Sequence, residues 1–497
     1  AFLAAAKDVG YPVMVKPVGG GGGIGMQRVR DEAGLRDALA KARRVAAASF
    51  GDERLMLERL VEHPRHIEVQ ILADTHGQIH ALGERDCSTQ RRHQKILEET
   101  PAPSLEDSHR RSLAEAAVAV AREAKYVNAG TVEFIVDPKG RFAFLEVNAR
   151  LQVEHPVTEL VWDIDLVEQQ LRIALGERLS LGEPAPRGHA IEVRLYAEDV
   201  EGGFLPSTGR LAHVRWPDGV RVDSGFEEGS VVTRHYDPLI AKLIAHGPHR
   251  KMALAKLGEA LAQTEVLGLR TNLRFLRTLV GHDVIQRAKA ETDFVKRCYE
   301  ELVPQRPSAP DEAYVLAAAA VVAGARDPRD PWTSLGPWRL GEGHASTVTL
   351  RESDVERSVR IRGNGPYEMD GHVAVRSKDE PHEWTIDGAA ASAAKDGTLC
   401  WVAVNGETFE LDTAPRPRSV ELTIGVEVAA PMPGVVIAAQ TRAEQKVRRG
   451  DLLFVVEAMK MELRVEAPSD GTVKRVLATL GQQVERGQRL AEFEPET

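Results

Sequence analysis

Residues 430–453 recur at residues 467–490, at a constant offset of 37 positions and without a gap. The matched positions are Ala430-Pro431 with Ala467-Pro468, Gly434 with Gly471, Val436 with Val473, Val447 with Val484, Gly450 with Gly487, and Leu453 with Leu490. Each copy begins with a Pro/Gly turn and alternating apolar residues, and ends in a glycine turn before an apolar run, which is typical of short strands. Two such copies back to back predict a flattened β-barrel.

A lysine with methionine on both sides, Lys460, lies at the seam between the two copies, within residues 456–462. Such a pair is unusual on a surface, because methionine is mostly buried. A hairpin at the seam would hold Lys460 away from the barrel, where a ligase can acylate it. Together with Ala430-Pro431-Met432-Pro433-Gly434, this segment resembles the biotin carboxyl carrier domain. The resemblance implies biotin on Lys460, attached by a biotin protein ligase. The lipoyl carrier domain is the alternative, although it usually lacks the flanking methionines.

The length and composition bound the remaining possibilities. A chain of 497 residues has room for about three or four domains, and 43% hydrophobic with 28% charged residues is typical of a globular protein. A net charge of −10 argues against a nucleic-acid partner, and no apolar run has membrane-spanning length. Cys87, Cys298 and Cys400 are far apart, which favours a reducing compartment without disulfides. We expect a cytoplasmic protein with no membrane partner.

Five consecutive glycines, Gly19 to Gly23, separate an apolar strand at 11–17 from a second predicted strand at 26–29. The segment matches the dinucleotide-binding GxGxxG pattern, but a helix begins only near Asp31 and no Walker lysine follows. A flexible linker is the plain alternative. A mobile glycine hairpin that lays backbone N–H groups over a triphosphate fits better.

This hairpin resembles the lid of the ATP-grasp fold, and residues 1 to about 300 resemble biotin carboxylase nearly end to end. The resemblance implies nucleotide contacts from Lys16, Gly21, Gly22, Gly23, Glu58, His66, Gln90 and His93. Ile24 departs from the family, in which many relatives carry Arg or Lys, and this change would weaken lid contacts without removing the fold. The family also has an N-terminal subdomain before the lid. Since this chain opens with only a short helix and strand, we expect that subdomain to be missing.

The run from Glu84 to Lys95 is dense in charged side chains, and by itself it is typical of a solvated basic loop. Beside a nucleotide-binding fold it becomes an anion site. The resemblance assigns Gln90, His93 and Lys95 to ATP and bicarbonate. Cys87 in the same run is expected to be a bystander, because no thiolate-activating pair accompanies it.

Residues 132–146 predict a β-hairpin with a four-residue loop. Pairing of Val136 with Arg141 sets the predicted register. It places Glu133 opposite Phe144, so that Glu146 shares the face of Glu133 as a diagonal neighbour, roughly 7–8 Å away at the backbone.

Asn148 continues the face of Glu133 and Glu146. Two acidic side chains on one sheet face more often only repel each other. Hard oxygen ligands are nevertheless what Mg²⁺ or Mn²⁺ bridging phosphates needs. The family binds two metal ions with matching residues, so the resemblance implies a metal site here.

The segment from Asn148 to Pro156 matches the strongest signature of the family. Bicarbonate is a poor electrophile and the urea nitrogen of biotin a poor nucleophile, so ATP first converts bicarbonate into carboxyphosphate, which breaks down to CO₂ and phosphate. The resemblance implies Glu154 as the general base, Arg150 as the bicarbonate anchor and Arg194 as the cation that stabilises the biotin enolate, with Lys95 beside them. A structural ion pair between Glu154 and Arg194 is the alternative.

Helical periodicity from Arg250 to Leu279 closes the carboxylase-like region. After a proline-rich linker, a helix is predicted from Asp311 to Ala325. Short alternating runs from Trp338 to Leu411 then predict an antiparallel β domain that follows this helix in the chain. Its position and residues 332–339 resemble the domain that joins the α and β subunits of 3-methylcrotonyl- or propionyl-CoA carboxylases. A second proline-rich linker follows.

The predicted fold class is multidomain, α/β plus all-β. It comprises an ATP-grasp biotin carboxylase core, a small antiparallel β-barrel linking domain and a C-terminal flattened β-barrel biotinyl domain. The predicted ranges are 1–61 for the lid subdomain, 62–303 for the rest of the carboxylase, 311–412 for the linking domain and 424–496 for the biotinyl domain.

The resemblance implies a biotin carboxylase, the α subunit of an acyl-CoA carboxylase. No stretch resembles a carboxyltransferase, so we expect a separate β subunit and a hetero-oligomer. One rival is a non-catalytic biotin carrier, disabled by a missing N-terminal subdomain. Another is an ATP-grasp ligase that forms an amine or amide product. Biotin- and bicarbonate-dependent ATP hydrolysis separates the three.

Overall fold

The computed structural model describes residues 2–20, 25–182, 185–324, 345–363, 365–414, 428–458, 461–485 and 487–496. Within these ranges the helices are α1 (Phe2–Val9), α2 (Glu32–Phe50), α3 (Asp107–Glu123), α4 (His155–Trp162), α5 (Leu166–Ala174), α6 (Arg250–Gln263), α7 (Leu273–Gly281), α8 (Asp283–Gln286), α9 (Phe294–Arg297), α10 (Tyr299–Leu302) and α11 (Asp311–Gly324). None of these helices is long and apolar enough to cross a membrane.

The strands fall into two sets. The first set is β1 (Val13–Pro17), β2 (Gln27–Val29), β3 (Leu55–Arg59), β4 (Arg65–Ala73), β5 (Ile79–Arg91), β6 (Gln94–Thr100), β7 (Asn128–Val136), β8 (Phe142–Asn148), β9 (His189–Tyr196), β10 (Glu198–Asp199), β11 (Leu205–Pro206), β12 (Gly209–Arg210), β13 (His213–Arg215), β14 (Arg221–Ser224), β15 (Val231–Val232), β16 (Leu239–Gly247) and β17 (Glu265–Leu267). The second set is β18 (Ser346–Glu352), β19 (Val355–Gly363), β20 (Tyr367–Met369), β21 (His372–Arg376), β22 (Glu383–Ile386), β23 (Ala389–Asp396), β24 (Leu399–Val404), β25 (Glu407–Asp412), β26 (Val428–Ala429), β27 (Gly434–Ala439), β28 (Gln445–Val447), β29 (Leu452–Ala458), β30 (Met461–Glu466), β31 (Gly471–Val476), β32 (Gln483–Val484) and β33 (Arg489–Pro495).

The first three strands form an antiparallel sheet in the order β2-β1-β3, called here the lid sheet. Val13 and Val15 of β1 pack with Leu35 of α2. This helix begins after Asp31, whose carboxylate accepts a hydrogen bond of 3.0 Å from the backbone N–H of Gly34. The hairpin predicted around the glycine run is confirmed by the antiparallel pairing of β1 with β2.

Eight antiparallel strands form the central sheet, in the order β14-β16-β9-β6-β5-β4-β7-β8. Along β4, the apolar residues Ile67, Val69 and Ile71 pack in one cluster with α3. The alternate residues point to the opposite face, as the period of a strand requires, and these are polar. They are His66, Glu68 and Gln70, all buried. The second face of the sheet is therefore a buried polar surface.

The charged run from Glu84 to Lys95 is not the solvated loop that its composition alone suggests. It forms most of β5, the turn at Arg92 and His93, and the start of β6. Arg85 is fully buried, and its Nε donates a hydrogen bond of 2.6 Å to Glu68 on the neighbouring strand. Charged side chains can lie inside a sheet when they are paired, so a high density of charged residues does not show that a segment is exposed.

The register predicted for the β7–β8 hairpin was also wrong. Val136 pairs with Phe142 instead of Arg141. A bulge next to Glu133 then shifts the pairing, so that Glu133 lies directly opposite Glu146 instead of Phe144. A bulge inserts one residue into one strand and cannot be read from alternation alone. The two carboxylates share a face, as predicted, but as direct neighbours.

The predicted helical stretch from Arg250 to Leu279 is two helices, α6 and α7, with the strand β17 between them. Both helices contribute to the largest apolar cluster, together with residues of β9 and β16. Leu257 and Leu276 are examples of its fully buried members. This cluster supports the half of the central sheet that carries Arg194.

Strands β18 to β25 close into an antiparallel barrel, called here the closed barrel. Helix α11, which precedes these strands in the chain as predicted, lies inside the barrel. All residues from Ala313 to Ala319 are buried, and they form one cluster with inward-facing residues of all eight strands. A helix that is apolar on every side requires such a surround.

The C-terminal residues form two four-stranded sheets, β26-β33-β31-β28 and β30-β29-β27-β32. The two sheets are built alike: Val447 pairs with Gly471 in one, and Val484 with Gly434 in the other. These pairs are related by the 37-residue offset of the sequence repeat. The predicted flattened β-barrel is confirmed, and Lys460 lies outside the described residues.

Candidate active site

A cavity of about 480 Å³ lies between the lid sheet and the polar face of the central sheet. Its lining includes every predicted carboxylase site residue that the structure describes. These are Lys16, Glu58, His66, Gln90, His93, Lys95, Glu133, Glu146, Asn148, Arg150, Glu154 and Arg194. Gly21, Gly22 and Gly23 lie outside the described residues, although the preceding Gly20 lines the cavity. Residues from distant parts of the chain thus meet in one place.

The lid side of the cavity carries Lys16 and Glu58, which form an ion pair between β1 and β3. Gln90 approaches from the opposite side, where it pairs with Lys95 across β5 and β6. His93 lies at the turn between these strands with a φ of 68°. Burial, and then the positive charge of Arg28, lower the pKa of His93. This imidazole is therefore kept neutral among cationic neighbours.

Lys95 connects three carboxylates. Its Nζ donates hydrogen bonds of 2.6 Å to Glu68, 3.0 Å to Glu133 and 2.6 Å to Glu154. Burial alone would lower the pKa of this lysine, but the negative charges around it raise the pKa well above its usual value. Lys95 is therefore a permanent cation that joins two parts of the cavity.

Glu133 accepts hydrogen bonds from four side chains. The donors are His66 at 2.9 Å, Asn148 at 2.9 Å, Lys95 at 3.0 Å and Gln152 at 3.1 Å. Burial would raise its pKa, but His66 and Lys95 hold the pKa of Glu133 far below the usual range. Glu133 is thus ionised at neutral pH.

Glu146 lies opposite Glu133, and its side chain has no hydrogen bond or ion pair to another described residue. Burial, and then repulsion by Glu133, raise the pKa of Glu146. A divalent cation between the two carboxylates would relieve this repulsion. Together with the side-chain oxygen of Asn148, they offer the hard oxygen donors that Mg²⁺ or Mn²⁺ prefers, so the residues fit such an ion.

Glu154 immediately precedes α4 and is almost fully buried. Its Oε1 accepts from Lys95 at 2.6 Å and its Oε2 from Arg194 Nη2 at 2.8 Å. Burial would raise its pKa, but Lys95 and Arg194 hold the pKa of Glu154 well below its usual value. The ion pair that the sequence left as an alternative therefore exists, and it borders the cavity.

Arg194 Nε also donates a hydrogen bond of 2.6 Å to Glu98, a residue that was not among the predicted site residues. Burial raises the pKa of Glu98 to about 7, against the effect of Arg194. Glu68 and Gln152 were missed as well, although each contacts a predicted site residue. The alternation of polar residues along β4 could have identified Glu68. Gln152 lies in the signature segment itself, in which Asn148, Arg150 and Glu154 were the predicted site residues.

Four family models match the chain. They are "Carbamoyl-phosphate synthase L chain, ATP binding domain" over residues 1–181, "Biotin carboxylase C-terminal domain" over 192–297, "Methylcrotonyl-CoA carboxylase, alpha-subunit, BT domain" over 310–416, and "Biotin-requiring enzyme" over 426–493. Their order along the chain is the order of the sheets described above.

The mitochondrial methylcrotonoyl-CoA carboxylase subunit α of Rattus norvegicus is 39% identical over 531 aligned residues, covering 99% of this chain and 73% of the rat protein. The propionyl-CoA carboxylase α chain of Ruegeria pomeroyi is 37% identical, over 98% of this chain and 78% of its own length. The chain belongs to the α subunits of biotin-dependent acyl-CoA carboxylases.

Solved structures agree with this family. The biotin carboxylase domain of 2-oxoglutarate carboxylase from Hydrogenobacter thermophilus, in complex with MgADP, ADP and bicarbonate, has a TM-score of 0.60 at 38% identity, covering 61% of this chain and 68% of that one. Biotin carboxylase from Campylobacter jejuni, in a β,γ-ATP complex, has a TM-score of 0.58 at 40% identity, over 59% and 66% of the two chains.

This α subunit carboxylates protein-bound biotin with bicarbonate in an ATP-dependent reaction, and its cofactors are covalent biotin, ATP and Mg²⁺. The predicted family and fold class are confirmed, and a purely non-catalytic carrier is not favoured. The expected cytoplasmic location stays a prediction, because several relatives are named as mitochondrial.

Proposed function

We propose that the cavity between the lid sheet and the central sheet is where bicarbonate is activated, and that Glu154, Arg150, Arg194 and Lys95 carry the chemistry. The observation that supports this proposal most is Lys95, whose Nζ touches both Glu133 of the proposed metal site and Glu154. A single cation thereby ties the nucleotide end of the cavity to the bicarbonate end.

The nucleotide would lie between the two sheets. Its triphosphate would lie beside Lys16 and Gly20, and His66, Gln90 and His93 border the same space. The backbone around Glu58 would hold the adenine. Glu133, Glu146 and Asn148 would hold Mg²⁺ or Mn²⁺, which supplies neutralisation of the phosphate charge when bound.

Glu154 would act on bicarbonate as the general base. Its low pKa keeps the carboxylate ionised and ready to accept a proton, but makes it a weak base while Lys95 and Arg194 remain bonded to it. Bicarbonate held by Arg150 would compete for these two cations. Partial loss of their hydrogen bonds would raise the basicity of Glu154 where the proton is transferred.

In the proposed first step, the bicarbonate O–H proton goes to Glu154 while a bicarbonate oxygen forms a bond to the γ-phosphorus. The bond from this phosphorus to the oxygen of ADP breaks. Carboxyphosphate then separates into CO₂ and phosphate. The released phosphate would accept the ureido N–H proton of biotin as that nitrogen bonds to CO₂, and Arg194, freed on one side, would stabilise the negative charge that develops on the ureido oxygen.

Bicarbonate-dependent ADP release tests these roles. Glu154→Gln and Arg194→Ala should each slow biotin carboxylation by roughly 10²-fold or more, the usual scale for a lost acid–base or charge-stabilising group. Glu168 and Arg172 form an exposed pair at the same 2.8 Å separation and provide matched controls as Glu168→Gln and Arg172→Ala. Near-normal rates in the Glu154 and Arg194 variants would reduce them to a structural pair.

We propose Lys460 as the biotin attachment site and a biotin protein ligase as the enzyme that modifies it. The support is the Met-Lys-Met sequence, which falls in the chain where β29 ends and β30 begins in the expected carrier fold. After expression with a biotin ligase, peptide mass spectrometry should find one biotin on Lys460 and none on the Lys460→Arg variant. An unmodified Lys460 or a lipoyl mass contradicts the proposal.

We also propose that a carboxyltransferase β subunit completes the enzyme as a hetero-oligomer, since the relatives are α subunits of larger carboxylases. Co-purification with the carboxyltransferase of the same cell tests this. The proposed domain ranges are 1–61, 62–303, 311–412 and 424–496. Limited proteolysis should cut first in the two segments that separate the last three ranges, residues 304–310 and 413–423.

A further inference from the structure

Three metal-binding side chains meet where the carboxylase region contacts the closed barrel. His213 belongs to β13, Glu228 to the loop before β15, and His382 to the loop before β22 of the barrel. One ligand atom from each lies within 4.8 Å of the others. His213 Nδ1 is 2.9 Å from Glu228 Oε2, and His382 Nε2 is 3.4 Å from Glu228 Oε1.

The hydrogen bonds around Glu228 leave one imidazole nitrogen facing a carboxylate. His382 Nδ1 lies 3.1 Å from the carbonyl oxygen of Ala393, so Nδ1 must carry a hydrogen. In a neutral ring, Nε2 is then a lone pair that faces the carboxylate of Glu228. Two electron-rich atoms at 3.4 Å repel each other unless a proton or a metal ion lies between them.

His213 brings a second imidazole to the same carboxylate. It is only 9% exposed, and its ring lies 5.0 Å from that of His382 at an angle of 33°. The two rings thus present one nitrogen each, His213 Nδ1 and His382 Nε2, to the two oxygens of Glu228.

A second group of three possible metal ligands has hydrogen bonds that need no cation. His282, Cys298 and Glu301 also bring three ligand atoms within 4.8 Å. There His282 Nδ1 accepts from the backbone N–H of Val284 at 3.2 Å, and Nε2 can donate its hydrogen to Glu301 at 3.0 Å. A neutral ring satisfies both contacts, and no cation is needed.

We propose that His213, Glu228 and His382 form a zinc site that joins the carboxylase region to the closed barrel. Two imidazoles and one carboxylate are ligands typical of Zn²⁺ and unlike the all-oxygen sets of Mg²⁺. Bonds of about 2.0–2.1 Å in a tetrahedron separate ligand atoms by about 3.3–3.5 Å. The three ligand atoms here lie within 4.8 Å of one another, so small side-chain shifts bring them to that spacing. The hydrogen bond from His382 Nδ1 to a carbonyl is the second contact that zinc-bound histidines usually make.

The fourth position would be water, because the side chain of Glu228 is 47% exposed and that of His382 is 27% exposed. The ion would add to an interface that also has an apolar cluster, in which Leu267 packs with Trp401 of the barrel. Ser392 of the barrel donates to Glu265 at 2.5 Å, and Arg270 contacts Glu410 at 3.2 Å. The site would therefore fix how the barrel sits on the carboxylase, without taking part in the reaction.

Zinc binding to the full chain tests the proposal. The chelator-treated protein is dialysed against Zn²⁺ with excess Mg²⁺, and its metal content is measured for wild type, His382→Gln, Glu228→Gln and His372→Gln. His372 is the matched control, since it lies in the same barrel and contacts Asp387 at 2.6 Å without a third ligand. Co²⁺ in place of zinc gives a visible absorption band that reports tetrahedral coordination.

Wild type and His372→Gln should bind one Zn²⁺ more per chain than the His382 and Glu228 variants. In those two variants the zinc affinity of this site should fall by at least 100-fold. Loss of a residue that only supports a ligand typically lowers metal affinity by about 10–100-fold, and these variants lose a ligand itself. Zn²⁺ should also raise the Tm of wild type and His372→Gln only. Equal zinc content in all four proteins, or no zinc bound by wild type, would overturn the proposal. Equal Tm values in chelator show that the variants are folded.

Discussion

Lys95 Nζ lies 2.6 Å from Glu154 Oε1, and the same nitrogen lies 3.0 Å from Glu133 Oε1. A carboxylate of the proposed metal site and the proposed general base therefore share one cation. Any change that removes this cation affects both ends of the cavity together.

Lys95→Gln should lower both activity and stability. Without the ammonium, the carboxylates of Glu68, Glu133 and Glu154 face each other in a buried site, and breaking such a buried pair typically costs about 3–5 kcal/mol of unfolding free energy. Bicarbonate-dependent ADP release should fall by at least about 10²-fold. Urea denaturation and steady-state kinetics measure the two effects. Lys7→Gln, which removes an exposed lysine 3.1 Å from Glu32, should leave both unchanged.

The pair Glu133→Gln and Glu146→Gln should abolish nucleotide turnover and leave biotinylation intact. The amides keep the shape of the side chains but remove the charge that holds a divalent cation. The C-terminal sheets have a core of their own, so the biotin ligase should still recognise them. ADP release and intact-protein mass measure the two properties in one preparation. Loss of biotinylation would mean that the C-terminal fold depends on the cavity.

Glu198 should make the protein less stable as the pH rises from about 4.5 to 7. Burial raises the pKa of Glu198 to about 7, although Arg91 lies 3.2 Å away. Between the unfolded and folded pKa values the folded state holds the extra proton, so stability is greatest below about 4.5 and is lost through 7. Glu198→Gln should remove about 3 kcal/mol of this pH dependence. Parallel stability curves for the two proteins would contradict the assignment.

Gly434→Ala and Gly471→Ala should destabilise the C-terminal sheets by similar amounts. A Cβ on Gly434 would lie 2.5 Å from the carbonyl oxygen of Glu457, and one on Gly471 would lie 2.4 Å from that of Glu494. Each contact requires the backbone to move, at a cost of typically 1–3 kcal/mol. Thermal unfolding of the purified chain measures it. Gly258→Ala in α6 makes the same chemical change in open space and should stabilise by about 0.5–1 kcal/mol.

Much of this architecture was accessible from the sequence because the chain repeats itself or alternates regularly. The offset that relates Gly434 to Gly471 relates the same two positions of the paired sheets. The lid hairpin followed equally from strands on both sides of the glycines. Local patterns of this kind survive folding because they determine which face of an element is buried.

The misjudged parts depend on contacts between distant residues. Nothing near Arg85 in the sequence shows that Glu68 will neutralise it, so the charged run by itself does not reveal a buried strand. The bulge beside Glu133 changes which residue faces Glu146, and alternation cannot reveal it. Glu98 joined the site only because β6 and β9 are neighbours in the sheet, far apart in the chain.

The closed barrel is filled by a helix that precedes all of its strands. Its interior therefore has no room for the acyl chain of a substrate, and whatever the barrel recognises must be recognised by its outer surface. The strands also cannot be moved between proteins alone, because their lining of Leu350, Val402 and Phe409 would lose the helix that covers it. Exchanging this domain between related subunits requires residues 309–414 as one piece. The linker belongs to that piece too, since the backbone N–H of Ala309 is held by Glu352 of the first strand at 2.9 Å.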